Sequence, residues 1–165
     1  MTSNNDLSHH KQQEYCTTRP RYRQGKKLTA VKVYTIASES IHLLVFGVPK
    51  VNLQSDVRRT FLRHGPIQFI RCVTKEIGEK MELEIFTDVF HIKFEKLEHA
   101  RRAKRFLDAQ QFYGGILHIS YAPEYESGDE IRAKLAKRRM EVNYHVRKNQ
   151  RDLEEHQAGV KNQNS

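Results

Sequence analysis

The chain has 165 residues, which suffices for one domain of ordinary size with extensions. It carries 29 Lys and Arg against 20 Asp and Glu, a formal net charge of +9, and its mean hydropathy is −0.76. No apolar run is long enough for a membrane span, and residues 1–10 lack the apolar stretch of a secretory signal, so we expect a soluble intracellular protein. The positive surplus favours a nucleic-acid partner.

The first 41 residues are predicted to hold a tail, a basic arm and a short strand. Residues 1–14 are polar and aperiodic, which is typical of a disordered tail. Residues 15–41 contain the basic arm and, at 30–36, an alternating pattern that predicts a short strand. Arg guanidinium groups bond phosphates in pairs and a Tyr ring offers a stacking plane, so the arm is a candidate RNA contact. Its candidate residues are Arg19, Arg21, Tyr22, Arg23 and Lys27.

The two cysteines, Cys16 and Cys72, are expected to be reduced thiols. They lie far apart in the sequence and lack the paired spacing of a zinc site. We expect no metal site and no cofactor.

The predicted compact domain spans residues 42–123. Its hydrophobic periodicity gives strands at 41–48, 67–74, 85–94 and 116–122, helices at 53–64 and 97–109, and an exposed loop at 75–84. The order β-α-β-β-α-β predicts an α+β, ferredoxin-like fold. In that fold both helices cover one face of a four-stranded antiparallel sheet, and the other face stays open.

A charged helix is predicted for residues 124–158, followed by a disordered tail at 159–165. The helix has a narrow apolar stripe, which predicts a protein interface. The stripe consists of Ile131, Leu135, Val142 and Val146. Arg138 and Arg139 on the same helix are further candidate phosphate contacts, with a solvated helix face as the alternative interpretation.

Two strands carry a resemblance to a known motif. Residues 43–49 (LLVFGVP) and 87–94 (TDVFHIKF) resemble the first and third strands of the RNA recognition motif. Residues 30–36, 112–126 and 131–135 are more narrowly similar to the RNA-binding protein 48 family. That resemblance implies a nuclear factor of the minor spliceosome that acts in pre-mRNA splicing. It also implies a small nuclear RNA, spliceosomal proteins and an armadillo-repeat protein as partners.

The positions where RNA recognition motifs usually stack bases are occupied here by Leu44, Val89 and His91. Two of the three stacking rings are therefore missing. Period-two alternation places a wider set of candidates on the open sheet face. They are Leu44, Phe46, Val89, His91 and His118. Alternatively, the C-terminal helix or the N-terminal arm covers this face, and these side chains are ordinary packing residues.

Other function classes find less support. RNA-recognition-like domains that capture a Trp-bearing peptide have an Arg and a Phe where this chain has Gln111 and Tyr113. Docking of a protein on the open sheet and C-terminal helix remains the alternative function. No Gly-rich phosphate loop, nucleophile elbow or helical two-His metal motif is present in the sequence, so an enzyme is not expected. The sequence favours a non-catalytic RNA-binding adaptor.

Overall fold

In the computed structural model, residues 7–11 and 35–163 are described, with side chains through residue 160. The arm residues Arg19, Arg21, Tyr22, Arg23 and Lys27 lie outside the described part, as do residues 30–34 of the predicted strand. The chain divides after Glu126 into two compact units, which are treated separately below.

The first unit contains a four-stranded antiparallel sheet of the predicted ferredoxin-like type. The elements in chain order are β1 (His42–Pro49), α1 (Gln54–Leu62), β2 (Ile67–Cys72), α2 (Thr74–Gly78), β3 (Thr87–Phe94), α3 (Leu97–Leu107), β4 (Gln111–Phe112), β5 (Gly115–Ile116), β6 (His118–Tyr121) and α4 (Gly128–Gln163). Short 3-10 helices occupy Ser8–His10 and Pro123–Tyr125. The sheet order is β2-β3-β1-β6, and β4 pairs with β5 in a separate hairpin. The α+β fold class and the β-α-β-β-α-β order are confirmed.

The main core lies between the sheet and the two helices α1 and α3. Alternation along β1 points Leu43 and Val45 into this core, and both are fully buried. Helical spacing brings Val57 and Phe61 of α1 to the same interior. The helix ends before the Gly65-Pro66 pair, which cannot continue it.

A bulge in β1 depends on Gly47. The pairing of β1 with β3 shifts register between Val45 and Val48, and Gly47 has a φ of +82°. A Cβ atom at this position would lie 2.1 Å from the carbonyl oxygen of Ile116. Only glycine therefore allows the β4–β5 hairpin to approach the strand this closely.

Several predicted boundaries differ from the structure. The predicted loop at 75–84 includes most of α2, because a single apolar side chain, Ile77, is buried and anchors that turn of helix. The predicted last strand is divided at Leu117 into β5 and β6. Residues 8–10, predicted as part of a disordered tail, form a 3-10 helix with a buried His10.

The second unit consists of α4, which continues to Gln163 and so extends past the predicted end at 158. Ser127 and Glu130 form a reciprocal capping pair at its start: the Ser127 Oγ accepts from the Glu130 amide and the Glu130 carboxylate accepts from the Ser127 amide. Within residues 7–11 and 35–163, none of the helices has the length and apolar character that crossing a membrane requires.

Candidate nucleic-acid interface

The predicted sheet residues lie on the face away from α1 and α3, but short segments of the same unit cover much of that face. Leu44, Val89 and His91 have exposed fractions of 0%, 1% and 2%. Leu44 and Val89 pack in a second apolar cluster with Val73, Ile77 and Ala122. In this conformation Leu44, Val89 and His91 are packing residues, and they present no ring to a base.

The N-terminal 3-10 helix covers the end of the sheet where Phe46 and His118 lie. The centre of the Phe46 ring lies 6.0 Å from that of the His10 ring and 5.6 Å from that of the His118 ring. His118 Nε2 donates to the carbonyl oxygen of His10 at 2.6 Å. Phe46 and His118 are therefore half-buried beneath the chain that carries His10.

His10 is itself held by two side chains from the C-terminal end of the sheet. Its Nδ1 atom lies 2.5 Å from Ser120 Oγ, and its Nε2 atom forms a short ion pair with Glu124 Oε1. His9 Nε2 lies 3.2 Å from the other oxygen of the same carboxylate. Burial acts to raise the pKa of the Glu124 carboxyl, but the hydrogen bond and charge interaction with His10 outweigh it and hold that pKa below its usual value.

Ser120, His10 and Glu124 have the residue types of a hydrolytic relay, a set that the sequence analysis did not find. The Ser120 hydroxyl belongs to a buried residue of β6 and is occupied by the His10 ring. Ser120 is 5% exposed, so this residue is closed off from solvent in this conformation.

The opposite half of the face carries a group of rings and an arginine, which we name the β2 cluster: His42, Phe69, Arg71, His91 and Tyr125. The Tyr125 ring lies 4.2 Å from the His91 ring, and the Phe69 ring meets His91 edge-on at 5.0 Å. The Arg71 guanidinium lies 5.9 Å from the centre of the Tyr125 ring. Phe69 is 36% exposed and Arg71 is also exposed, so the outer edge of the cluster is open to solvent.

His91 is neutral at physiological pH. Burial, followed by the neighbouring His42 and Arg71, lowers the pKa of His91 to about 3. A neutral ring buried under Tyr125 provides no positive charge for a phosphate. Within the β2 cluster, the charge that a phosphate would meet belongs to Arg71.

Phe69, Arg71 and Tyr125 were not among the predicted site residues. Phe69 and Arg71 are two positions apart in β2, on either side of Ile70, and this alternation could have placed them on the open face. Tyr125 follows the last strand in a 3-10 helix, for which the sequence carries no periodic signal.

The remaining candidates lie in the second unit. Arg138 and Arg139 are exposed on α4, and Arg138 is 3.6 Å from Glu141. The stripe residues Ile131, Leu135, Val142 and Val146 are between 40% and 49% exposed. In α3, Arg101 Nε donates to the Glu39 carboxylate at 3.0 Å, so this arginine anchors the segment before β1.

Comparison with known proteins gives relatives over nearly the whole chain. RNA-binding protein 48 of Danio rerio is 43% identical over 157 residues, 95% of this chain and 42% of that protein. RNA-binding protein 48 of Homo sapiens is 43% identical over 136 residues, 82% of this chain and 36% of that protein. The chain thus spans about two fifths of the length of these curated relatives.

No protein-family model matches the chain. Among solved structures, the Rna15 RRM with bound RNA has a TM-score of 0.43 and 15% identity, over 54% of this chain and 89% of that chain. The fold assignment rests on the strand order of the chain itself. The identity to the curated relatives confirms the resemblance predicted from sequence: over nearly its whole length the chain is a homologue of the RNA-binding protein 48 family.

Proposed function

We propose that the chain is a non-catalytic RNA-binding adaptor that uses the solvent-exposed edge of the β2 cluster. The observation that carries the proposal is the placement of Phe69 and Arg71 side by side on the open part of the sheet. An exposed ring can stack on a base while the neighbouring guanidinium bonds its phosphate. The name of the homologous proteins and the net charge of +9 support RNA as the partner.

The residues predicted from the sequence have different roles in this RNA-binding adaptor. The arm residues Arg19, Arg21, Tyr22, Arg23 and Lys27 supply phosphate contacts and a stacking plane, and Arg138 and Arg139 add positive charge. Phe46 and His118 are half-buried against His10, so a base gains full access to their rings when the 3-10 helix leaves the sheet. Leu44, Val89 and His91 support the surface from within.

The finer assignment follows the family resemblance. The proposed role is pre-mRNA splicing in the nucleus as a factor of the minor spliceosome, with a small nuclear RNA, spliceosomal proteins and an armadillo-repeat protein as partners. Homology at 43% identity to RNA-binding protein 48 supports this assignment. Basic clusters such as the arm are consistent with nuclear import.

The test is ultraviolet crosslinking of the full chain in cells, with recovery and sequencing of the bound RNA. The double variant Phe69→Ala with Arg71→Ala removes the exposed ring and its neighbouring charge. We expect recovery of one small nuclear RNA species with the unmodified chain and a loss of at least tenfold in the variant, because stacking on one ring is worth about 1–3 kcal/mol.

A matched control comes from α3, on the other side of the sheet. Phe106 is exposed there and the Arg105 guanidinium lies 5.7 Å from its ring, so Phe106→Ala with Arg105→Ala removes the same two side-chain types. We expect this control to retain the RNA. Equal recovery from both variants would reject the β2 cluster as the contact surface, and absence of a small nuclear RNA with the unmodified chain would reject the splicing role.

The exposed apolar stripe of α4 favours a second function, docking of a protein partner. Four aliphatic side chains follow one side of this long helix, whose other positions are mostly charged or polar. Such a stripe fits the groove of a helical-repeat protein. Protein docking through α4 and RNA binding through the sheet use different units of the chain and are separable by mutation.

A further inference from the structure

His9, His10 and Glu124 form a cluster of metal-ligating side chains that the proposed RNA contacts do not use. The donor atoms of the three residues all lie within 4.8 Å of one another. They come from two segments that are more than a hundred residues apart in sequence, the N-terminal 3-10 helix and the turn after β6. The described structure therefore brings two imidazoles and a carboxylate to one point without any motif in the sequence.

The geometry at this point suits a small tetrahedral ion. Ligand atoms bound about 2.1 Å from one tetrahedral ion lie roughly 3.4 Å apart. The His9 Nε2 to Glu124 Oε2 distance is 3.2 Å, and the His10 Nε2 atom is in close contact with the other carboxylate oxygen. Both histidines thus direct the same ring nitrogen at the two oxygens of one carboxylate. The His9–Glu124 pair already has the separation of two ligands of one ion, and the closer His10–Glu124 pair must move apart to admit it.

The surroundings of His10 are those of a metal ligand with a fixed orientation. Ser120 Oγ lies 2.5 Å from Nδ1, the ring nitrogen that faces away from the carboxylate. A hydroxyl both donates and accepts, so it can accept a hydrogen from Nδ1 when Nε2 gives its lone pair to an ion. The hydrogen bond from His118 Nε2 to the His10 carbonyl oxygen also fixes the backbone at His10.

Charge and access are also suitable. One carboxylate with two neutral imidazoles leaves a bound divalent ion a single net positive charge. His10 is buried, whereas His9 is partly exposed and gives solvent access to the site. A water molecule can then complete the tetrahedron.

We propose that His9 Nε2, His10 Nε2 and the Glu124 carboxylate bind one divalent zinc-type ion, which ties the N-terminal segment to the end of the sheet. The ion replaces the two direct His–Glu contacts. The two imidazole donors favour zinc and its transition-metal neighbours over magnesium, and one carboxylate completes a set of three protein ligands that zinc accepts. The bound ion keeps the 3-10 helix on Phe46 and thereby holds that ring away from solvent.

The test is titration of the full chain with zinc chloride, followed by calorimetry and by NMR of the histidine ring signals. We expect one equivalent of zinc to shift the His9 and His10 signals, a chelator to reverse the shift, and magnesium chloride to leave it absent. Amide hydrogen exchange of residues 7–11 is expected to slow with zinc, because the segment is then cross-linked to Glu124.

Two variants check the ligands. His9→Asn, at a partly exposed position, and Glu124→Gln, which keeps the size of the side chain, are each expected to weaken zinc binding at least tenfold. His64→Asn with Glu79→Gln is the matched control, because it removes one imidazole and one carboxylate outside the cluster. Circular dichroism verifies that each variant is folded.

The wild-type NMR titration needs no variant and decides the outcome if one fails to fold. The absence of shifts at His9 and His10, or unchanged exchange of residues 7–11 at saturating zinc, would overturn the proposed site. Loss of RNA crosslinking by the Phe69 and Arg71 variant bears only on the proposed function, so the two proposals fail separately.

Discussion

The His91 Nε2 atom lies 2.8 Å from His42 Nδ1, and both rings are buried under Tyr125. The Arg71 Nε–H group donates to His91 Nδ1 at 3.4 Å, so the His91 hydrogen is on Nε2 and is donated to His42. A second hydrogen on His91 would face the Arg71 guanidinium. These hydrogen bonds therefore fit neutral rings. The chain of contacts from Arg71 through His91 to His42 links the exposed edge of β2 to the buried centre of the sheet.

The neutral state of His91 makes the domain sensitive to acid. Its pKa is 6.5 in the unfolded chain and about 3 in the folded one, so the unfolded state takes up a proton first as the pH falls. The stability that the neutral His91 ring contributes is fully present above pH 6.5 and is lost progressively as the pH falls below that value. Between pH 7 and pH 5 we expect His91 to remove about 2 kcal/mol from the free energy of unfolding.

Urea denaturation at pH 7 and pH 5 measures this loss. The variant His91→Gln keeps a hydrogen-bonding side chain but has no proton to gain, so the difference between the two pH values should shrink by about 2 kcal/mol. His145→Gln is the control, since it removes an imidazole from an exposed position on α4. The same pH dependence in wild type and His91→Gln would contradict the assignment.

Among the glycines of the β1 bulge and the β4–β5 hairpin, Gly47 is expected to be the one that tolerates substitution least. Gly47→Ala places a Cβ on the carbonyl of Ile116 and also strains a residue with φ of +82°, so we expect a loss of more than about 2 kcal/mol in the free energy of unfolding. Gly114→Ala is the matched comparison, because Gly114 has a φ of +85° but none of the described residues has an atom within 4 Å of the added carbon. It should lose only the backbone part, about 1 kcal/mol. Equal losses in thermal or urea unfolding would show that the close approach of β5 is not what requires glycine.

The basic arm is expected to contribute to RNA affinity without sequence preference. Arg21→Ala with Arg23→Ala removes two candidate phosphate contacts, so binding should weaken across RNA sequences and the slope of log affinity against log salt should fall by about 2. Filter binding at several salt concentrations measures the slope. Lys75→Ala with Lys80→Ala, around α2, removes the same net charge as a control. An unchanged slope in the arm variant would remove the arm from the RNA-binding surface.

The stripe on α4 is expected to bind a protein partner. Leu135→Asp with Val142→Asp introduces two charges into the stripe and should abolish co-purification of a helical-repeat partner while the first unit stays folded. Met140→Asp with Tyr144→Asp is the control, because a period of about 3.6 residues puts these two exposed side chains on the opposite side of the helix. Mass spectrometry of the purified complexes gives the readout. Retention of every partner by the stripe variant would reject the interface.

The sequence predicts the sheet and the two large helices because their apolar residues follow regular periods. Val57 and Phe61 repeat at helical spacing, and Leu43 and Val45 alternate with residues of the other face. The segments that cover that other face of the sheet could not be predicted residue by residue. It depends on isolated contacts, such as Ile77 in an acidic segment and His10 against Ser120, and single long-range contacts leave no periodic trace.

The 3-10 helix after β6 has a practical consequence for work with fragments of this protein. A piece cut at the predicted domain limits, residues 42–123, lacks both His10 and Tyr125, whose rings lie over the sheet. In such a fragment Leu44 and Phe46 would form an apolar patch exposed to solvent, and this patch would promote self-association. The shortest soluble fragment should therefore begin before Leu7 and end after Tyr125. Its soluble yield, compared with that of residues 42–123, would measure how far these two terminal segments shield the apolar face of the sheet.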